Sequence, residues 1–139
     1  RVADTRDRLN AVVKMREAFR PFAGAVFGDT IDAYFDRAVE SPYMNVVVQV
    51  REHARALIPA IVHVDGSCRI QTLSRDQTLF ARLLKRFEEI TGIGIIVNTS
   101  FNIKGEPIVM TPEDAVRCFY GTGLDFLLLG ECLLEKQNA

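Results

Sequence analysis

The densest set of side chains able to do chemistry lies at residues 92–106. There Ile93, Ile95, Ile96 and Val97 form a short apolar run that ends abruptly in Asn98, Thr99, Ser100 and Asn102. The β-branched run has the composition of a strand buried on both faces. The hydroxyls and amides that follow can donate to phosphate, carbonyl or ribose oxygens without carrying charge themselves. In open α/β sheets the carboxyl end of a strand is the usual ligand crevice. Gly105 lets the backbone turn before Pro107, and the same residue types would equally make an ordinary hydrogen-bonded turn. Spacing leaves both readings open.

Cations come from elsewhere in the chain. Lys14, Arg16 and Arg20 fall within seven residues. If Lys14-Met15-Arg16 is extended, the two cations share a face, because side chains alternate with period two. If it is helical, they do not face each other. A pair on one face would clamp phosphate or carboxylate, with Arg binding bidentately and Lys as a point charge. A solvated helix face would look the same in sequence. Arg69 and Gln71 alternate with Ile70 and Thr72, so Arg69 projects from one side of its strand and Ile70 from the other. His63 stands just before an Asp65-Gly66-Ser67 turn, where an imidazole serves as a structural hydrogen-bonding group, a donor or a proton shuttle.

The elements that must position these residues are legible as a pattern. The segment 5–19 has the spacing of an imperfect amphipathic helix ended by Pro21, and 21–28 reads as a connection. Residues 29–38 suggest a short helix capped by Asp29 or Thr30, 46–50 a β-branched strand, and 51–55 a loop. Residues 58–63 and 69–73 suggest two antiparallel strands joined at the 65–67 turn. The clearest helix is 77–91, with Leu79, Phe80, Leu83, Leu84, Phe87 and Ile90 as a core stripe and Gly92 as its stop. Thr111-Pro112-Glu113-Asp114 opens a helix to Tyr120. A last buried strand at 124–129 and an edge segment at 132–134 close the chain. This alternation predicts an α/β (α+β-like) fold around a mixed sheet, with helices flanking it.

Composition narrows the class. The chain has 139 residues, 48% of them hydrophobic, which suits one domain, 1–139, with a real core. Its 17 basic and 18 acidic residues are mixed, so no long basic face points to nucleic acid and any anion site must be local. Cys68, Cys118 and Cys132 are widely spaced without a nearby His, which argues against zinc and for the reduced thiols of a cytoplasmic protein. No run approaches the roughly 18 apolar residues of a membrane span, and residues 1–10 are too polar for a signal peptide. The start at Arg1 rather than Met suggests a piece of a longer protein.

Several ordered segments together resemble one family. They are Val13-Lys14-Met15-Arg16-Glu17 with Phe19-Arg20-Pro21-Phe22-Ala23, then Ser41-Pro42-Tyr43-Met44, then the stretch from Ile58 to Gly66. Arg69-Ile70-Gln71-Thr72, Asn98-Thr99-Ser100-Phe101-Asn102 and Gly105-Glu106-Pro107-Ile108-Val109 follow, with Pro112-Glu113-Asp114-Ala115 and Leu124-Asp125 after them. In this order they resemble the carboxy-terminal part of the O-carbamoyltransferases of nodulation-factor and antibiotic biosynthesis. The resemblance implies a YrdC-like domain with a twisted mixed sheet. It also implies a nucleotide site lined by Lys-x-Arg and Ser-x-Asn motifs, which match Lys14 with Arg16 and Ser100 with Asn102.

By the same resemblance, Arg20 and Arg69 hold phosphate and carbamoyl groups, and the substrates are ATP, with Mg, and carbamoyl phosphate. Catalytic roles then fall to Lys14, Arg16, Arg69 and Ser100, and substrate or nucleotide binding to Arg20, His63, Asn98 and Asn102. Family enzymes pass a carbamoyl-adenylate to an amino-terminal domain that contains a metal ion and binds the acceptor hydroxyl. That domain lies outside this sequence, so the chain is expected to fold without completing transfer. Cys68 stands where the family more often has a small residue such as Ala. A non-catalytic nucleotide- or RNA-binding module, or an interface domain of the same fold, are the competing readings.

Overall fold

The computed structural model describes residues 3–15, 17, 20–37, 39–76 and 78–137. It divides into two units, one built mainly from Pro21–Thr99 and the other from Asp7–Arg20 with Ser100–Ala139. Among the sequence expectations, Arg16, Phe19 and Gln77 lie outside the described residues.

The first unit is a five-stranded sheet of β1 (Ala23–Phe27), β2 (Phe35–Asp36), β3 (Val46–Val50), β4 (Ser67–Leu73) and β5 (Ile95–Asn98), in the order β2-β3-β4-β1-β5. β1 runs parallel to β4, and the other pairings are antiparallel, so the sheet is mixed as the alternation predicts. β3 follows from its β-branched run. β4 follows from its alternation, with Ile70 fully buried and Arg69 exposed.

β1 departs from expectation, because Ala-Gly-Ala-Val-Phe reads as a connection and is instead an interior strand with all five residues buried. Small residues are there for a physical reason. A Cβ on Gly24 would lie 2.5 Å from Ile61 Cδ1 and 2.9 Å from Ile95 Cδ1, so the strand is covered too closely for a larger side chain. Ile58–His63 is correspondingly not a strand. Ile58, Ala60 and Ile61 are buried in turns, and the antiparallel neighbour of β4 is β3.

Other boundaries shift as well. The 51–55 stretch forms the single-turn helix α2 (Glu52–Arg55), and 29–38 divides into a 3-10 helix (Gly28–Ala33) and β2. β5 is an edge strand with only Ile95 buried and Ile96 to Asn98 half-buried, so it is not the doubly covered strand its composition suggests. Helix α3 (Leu79–Thr91) is capped by Thr78, whose hydroxyl accepts from the Ala81 N–H at 3.3 Å. It ends at Gly92 in the left-handed region, φ 71°. Its core face is narrower than the stripe predicts. Ala81 and Leu84 pack on Phe27 with Leu73 and Ile96, whereas Leu79, Leu83 and Ile90 are exposed.

At the amino-terminal end the expected amphipathic helix is cut into α1 (Ala3–Arg8) and a π-helical turn, Leu9–Lys14. In the second unit α4 (Pro112–Tyr120) opens on a full capping box. The Thr111 hydroxyl accepts from the Asp114 N–H at 3.1 Å, and the Asp114 carboxylate accepts from the Thr111 N–H at 3.3 Å. β6 (Phe126–Leu129) and β7 (Cys132–Glu135) form a hairpin. Ala115, Phe119 and Leu127 make the core, with Phe101, Val116, Leu124, Leu129 and Leu134 against it. β6 is therefore buried on one side, since Phe126 and Leu128 are exposed. Among the described residues no helix is long and apolar enough to cross a membrane.

The cysteines give a direct test of this burial. Cys68 and Cys118 are buried and Cys132 is exposed. Burial pushes the Cys68 thiol up to about 12 and raises that of Cys118 as well. Native protein mixed with a thiol-reactive dye at pH 8 is expected to label rapidly at Cys132 and slowly at the other two, with all three reacting in denaturant. Rapid labelling of Cys68 in the native state would contradict the packing of β4.

Candidate functional site

Lys14 is the last residue of the π-helical turn, and Met15 follows it in the left-handed region, φ 46°, donating its N–H to the Asn10 carbonyl. π-helical turns are uncommon and recur at functional sites. A non-glycine residue with positive φ is also strained. The segment is thus neither extended nor a regular helix at Lys14, and the choice left open by the sequence is settled for this residue alone. The turn is fastened from the other side by Gly123, whose N–H donates to the Val12 carbonyl at 2.6 Å. A Cβ on Gly123 would lie 2.6 Å from Val12 Cβ, so glycine is required for this approach.

The Lys14 side chain is buried, 5% exposed, and reaches a loop 86 residues away in sequence. Its ammonium donates to the Ser100 carbonyl, to Asn102 Oδ1 at 2.8 Å, and at longer range to Ser100 Oγ (3.3 Å) and the Asn102 carbonyl (3.4 Å). The loop is held by its own bonds. Ser100 Oγ donates to Asn102 Oδ1 at 2.8 Å, Asn102 Nδ2 donates to the Glu106 carbonyl at 2.8 Å, and the Val109 N–H donates to the Phe101 carbonyl at 3.0 Å. Gly105, φ 82°, makes the turn. Lys14 also lies close enough to Cys118 to offset part of the rise that burial imposes on that thiol. Arg20, in the same unit, is exposed and pairs with Glu17 at 3.3 Å.

In the sheet unit a second polar group assembles. Arg69 on β4 and Asn98 on β5 are both register partners of Ala23 on β1, so all three side chains leave the same face. Gln71 belongs to that face by alternation, and Asn98 Nδ2 donates to its Oε1. Gln71 Nε2 donates in turn to the Pro42 carbonyl at 3.0 Å. The floor between β4 and β5 is Ala23 and Ala25, both fully buried. Helix α3 covers the Phe27, Leu73 and Ile96 end of the same face, away from this row. Sequence reasoning did not single out Gln71. Its two-residue offset from Arg69 was the available signal.

His63 is anchored beside the start of β4. Its N–H donates to the Ser67 carbonyl at 2.8 Å, and its Nδ1 lies 3.0 Å from Ser67 Oγ. Ser67 Oγ donates to Asp65 Oδ1 at 2.7 Å, and the Ser67 N–H donates to the same oxygen at 2.9 Å. Those two bonds hold the Asp65 carboxyl below its ordinary range. Among the described residues no group of three His, Cys, Asp or Glu side chains is placed to hold a metal. A groove of about 640 Å³ along α3, lined by Phe27, Arg75, Leu79, Arg82, Lys85 and Arg86 among others, contains none of the expected site residues.

Residues 1–136 match the family described as the carbamoyltransferase C-terminus. The chain is similar to nodulation protein NolNO of Sinorhizobium fredii, 44% identical over all of this chain and 21% of that protein. It is similar to nodulation protein NolO of Bradyrhizobium diazoefficiens, 41% identical over all of this chain and 26% of that protein. With 3'-hydroxymethylcephem-O-carbamoyltransferase of Amycolatopsis lactamdurans it shares 37% identity, over 96% of this chain and 25% of that enzyme. The chain therefore spans about a quarter of the length of these relatives. A match running through nearly every residue described above places the chain in the carbamoyltransferase C-terminus family.

Proposed function

We propose that this chain is the adenylate-forming part of an O-carbamoyltransferase, binding ATP and carbamoyl phosphate. In this reading water hydrolyses carbamoyl phosphate, breaking the bond between the carbamoyl group and phosphate and giving carbamate, inorganic phosphate and a proton. A carbamate oxygen then attacks the α-phosphorus of ATP and pyrophosphate leaves, giving carbamoyl-adenylate. An acceptor hydroxyl, held by the additional chain that the longer relatives carry, later attacks the carbonyl carbon and releases AMP. The expected metal ion would be held by that additional region, and Mg would arrive with the nucleotide phosphates.

The observation that carries the proposal is the buried Lys14 ammonium on the Ser100-Asn102 loop. Adenylate formation places charge on a crowded phosphorus, and fixed cations with neutral donors stabilise it without a protein nucleophile. An ammonium has three protons, and two of the Lys14 contacts are long, to Ser100 Oγ at 3.3 Å and the Asn102 carbonyl at 3.4 Å. Those are the contacts that a phosphate oxygen would replace. Arg20 would give up Glu17 to a phosphate at little cost, since exposed ion pairs contribute under about 1 kcal/mol. Arg16 is assigned to the nucleotide by its place in the motif alone. In the sheet unit Arg69 would take the phosphate of carbamoyl phosphate, and Asn98, with its amide already oriented by Gln71, its carbamoyl group.

Calorimetric titration with ATP tests the nucleotide assignment. Wild type is expected to bind, Lys14→Ala to lose about tenfold to a hundredfold in affinity, and Ser100→Ala less, in line with the loss of one charged hydrogen-bonding group. Gly123→Ala, which displaces the π-helical turn without touching the ammonium, is expected to weaken binding while the circular dichroism stays native. Unchanged affinity in folded Lys14→Ala would contradict the assignment. The isolated 139-residue chain is expected to give no carbamoylated acceptor in an assay with ATP, carbamoyl phosphate and a hydroxyl acceptor, and turnover there would show that the acceptor site lies within this chain.

A further inference from the structure

The hairpin of β6 and β7 is apolar on both sides. An antiparallel pair with one face in water normally alternates apolar with polar residues. Here β6 reads Phe-Leu-Leu-Leu and β7 reads Cys-Leu-Leu-Glu. One face is accounted for, since Leu127, Leu129 and Leu134 pack with Ala115 and Phe119. By alternation and register the other face carries Phe126, Leu128, Leu133 and Glu135, with Leu128 directly opposite Leu133. All four are exposed. The apolar area continues beyond the hairpin, because exposed Met110 and Leu128 line the same groove, of about 320 Å³, with Phe101, Val109 and Pro112 among its other walls. A contiguous exposed apolar area of this kind marks an interface.

Two observations say what covers it. The matched part is about a quarter of the relatives' length, and the family is defined as a carboxy terminus, so their additional residues stand before it. Close to its start, this chain is fastened to the hairpin. The Arg8 guanidinium donates to both carboxylate oxygens of Asp125, at 2.6 and 2.8 Å, and Asp125 is the residue before Phe126. Chain that precedes Arg8 therefore enters beside β6. A region tethered there meets the hairpin at a high effective concentration, an advantage that a second copy lacks.

We infer that the outer face of the hairpin, together with Met110, is the seat of the additional region that the longer relatives carry before this segment. That region lays apolar side chains over Phe126, Leu128 and Leu133 and turns a basic side chain toward Glu135. This rests on the reading that the chain is one part of a longer carbamoyltransferase, and it names the surface that joins the adenylate-forming part to the acceptor-binding part.

The experiment compares the 139-residue chain with the full-length protein that contains it. Leu128→Cys is introduced together with Cys132→Ser, and labelling of position 128 by a thiol-reactive dye is followed by mass spectrometry. Labelling is expected to be fast in the 139-residue chain and at least about tenfold slower in the full-length protein. Leu133 is 67% exposed, so Leu133→Arg is expected to leave the circular dichroism and ATP affinity of the 139-residue chain unchanged. In the full-length protein the same substitution is expected to restore fast labelling at position 128. It should also cut carbamoylation of the acceptor by about tenfold or more through misplacement of the two parts, with ATP affinity unchanged.

Equal labelling rates in the two forms would overturn the inference. So would slow labelling in a 139-residue chain that sediments as a dimer and becomes a fast-labelling monomer on Leu133→Arg, since the face would then belong to a second copy. If the full-length protein carbamoylates its acceptor while position 128 stays open, the inference falls and the proposed function stands. If position 128 is covered but no carbamoyl-adenylate forms, the proposed function falls and the interface stands.

Discussion

A lysine ammonium withdrawn from water costs several kcal/mol unless other oxygens replace its hydration shell. Lys14 is 5% exposed, and Ser100 and Asn102 rebuild part of that shell. Much of the second unit serves that exchange. The π-helical turn ends where the side chain must leave it, Met15 takes a left-handed conformation to stop the turn, and Gly123 lets the chain after α4 approach Val12 within hydrogen-bonding distance. The loop holds its acceptors in place through the Ser100-Asn102 and Asn102-Glu106 bonds. A cation positioned in this way needs little reorganisation when a phosphate arrives.

The sheet unit solves a different problem, presenting polar groups in a row on an otherwise apolar face. Register does most of this, because Arg69 and Asn98 share a partner in Ala23 and so emerge together. Gln71 fixes the Asn98 amide, and the alanines beneath leave room above the strand. Packing against α3 is confined to the Phe27 end, which divides one face into a structural half and a polar half.

Elements whose signal is local could be read from sequence. The β-branched run of β3, the Arg69-Ile70 alternation, the stop of α3 at Gly92 and the capping box of α4 are all local and all present. Elements set by tertiary packing could not. β1 opens on three small residues, Ala23, Gly24 and Ala25, and Gly24 is one of them because Ile61 and Ile95 press on it, while 58–63 looks like a strand because its apolar residues are needed to press there. α3 carries more apolar residues than its core face uses. In the site, Lys14, Ser100 and Asn102 stood out by type and motif, and the structure brings those three together. Gln71 was hidden because a glutamine in a strand has no meaning until its cross-strand neighbour is known. The hydrogen bonds that join His63, Ser67 and Asp65 are made in three dimensions, which spacing does not supply.

The most direct measurement is 15N NMR of the lysine ammonium groups, with Lys14 assigned among the four lysines by Lys14→Arg, before and after saturation with ATP. A Lys14 ammonium that exchanges slowly with water in the free chain, loses that protection in Asn102→Ala and shifts when ATP is added would establish the cluster as a preformed phosphate site. Solvent-like exchange of Lys14 in the free chain, or a resonance unmoved by saturating ATP, would contradict it.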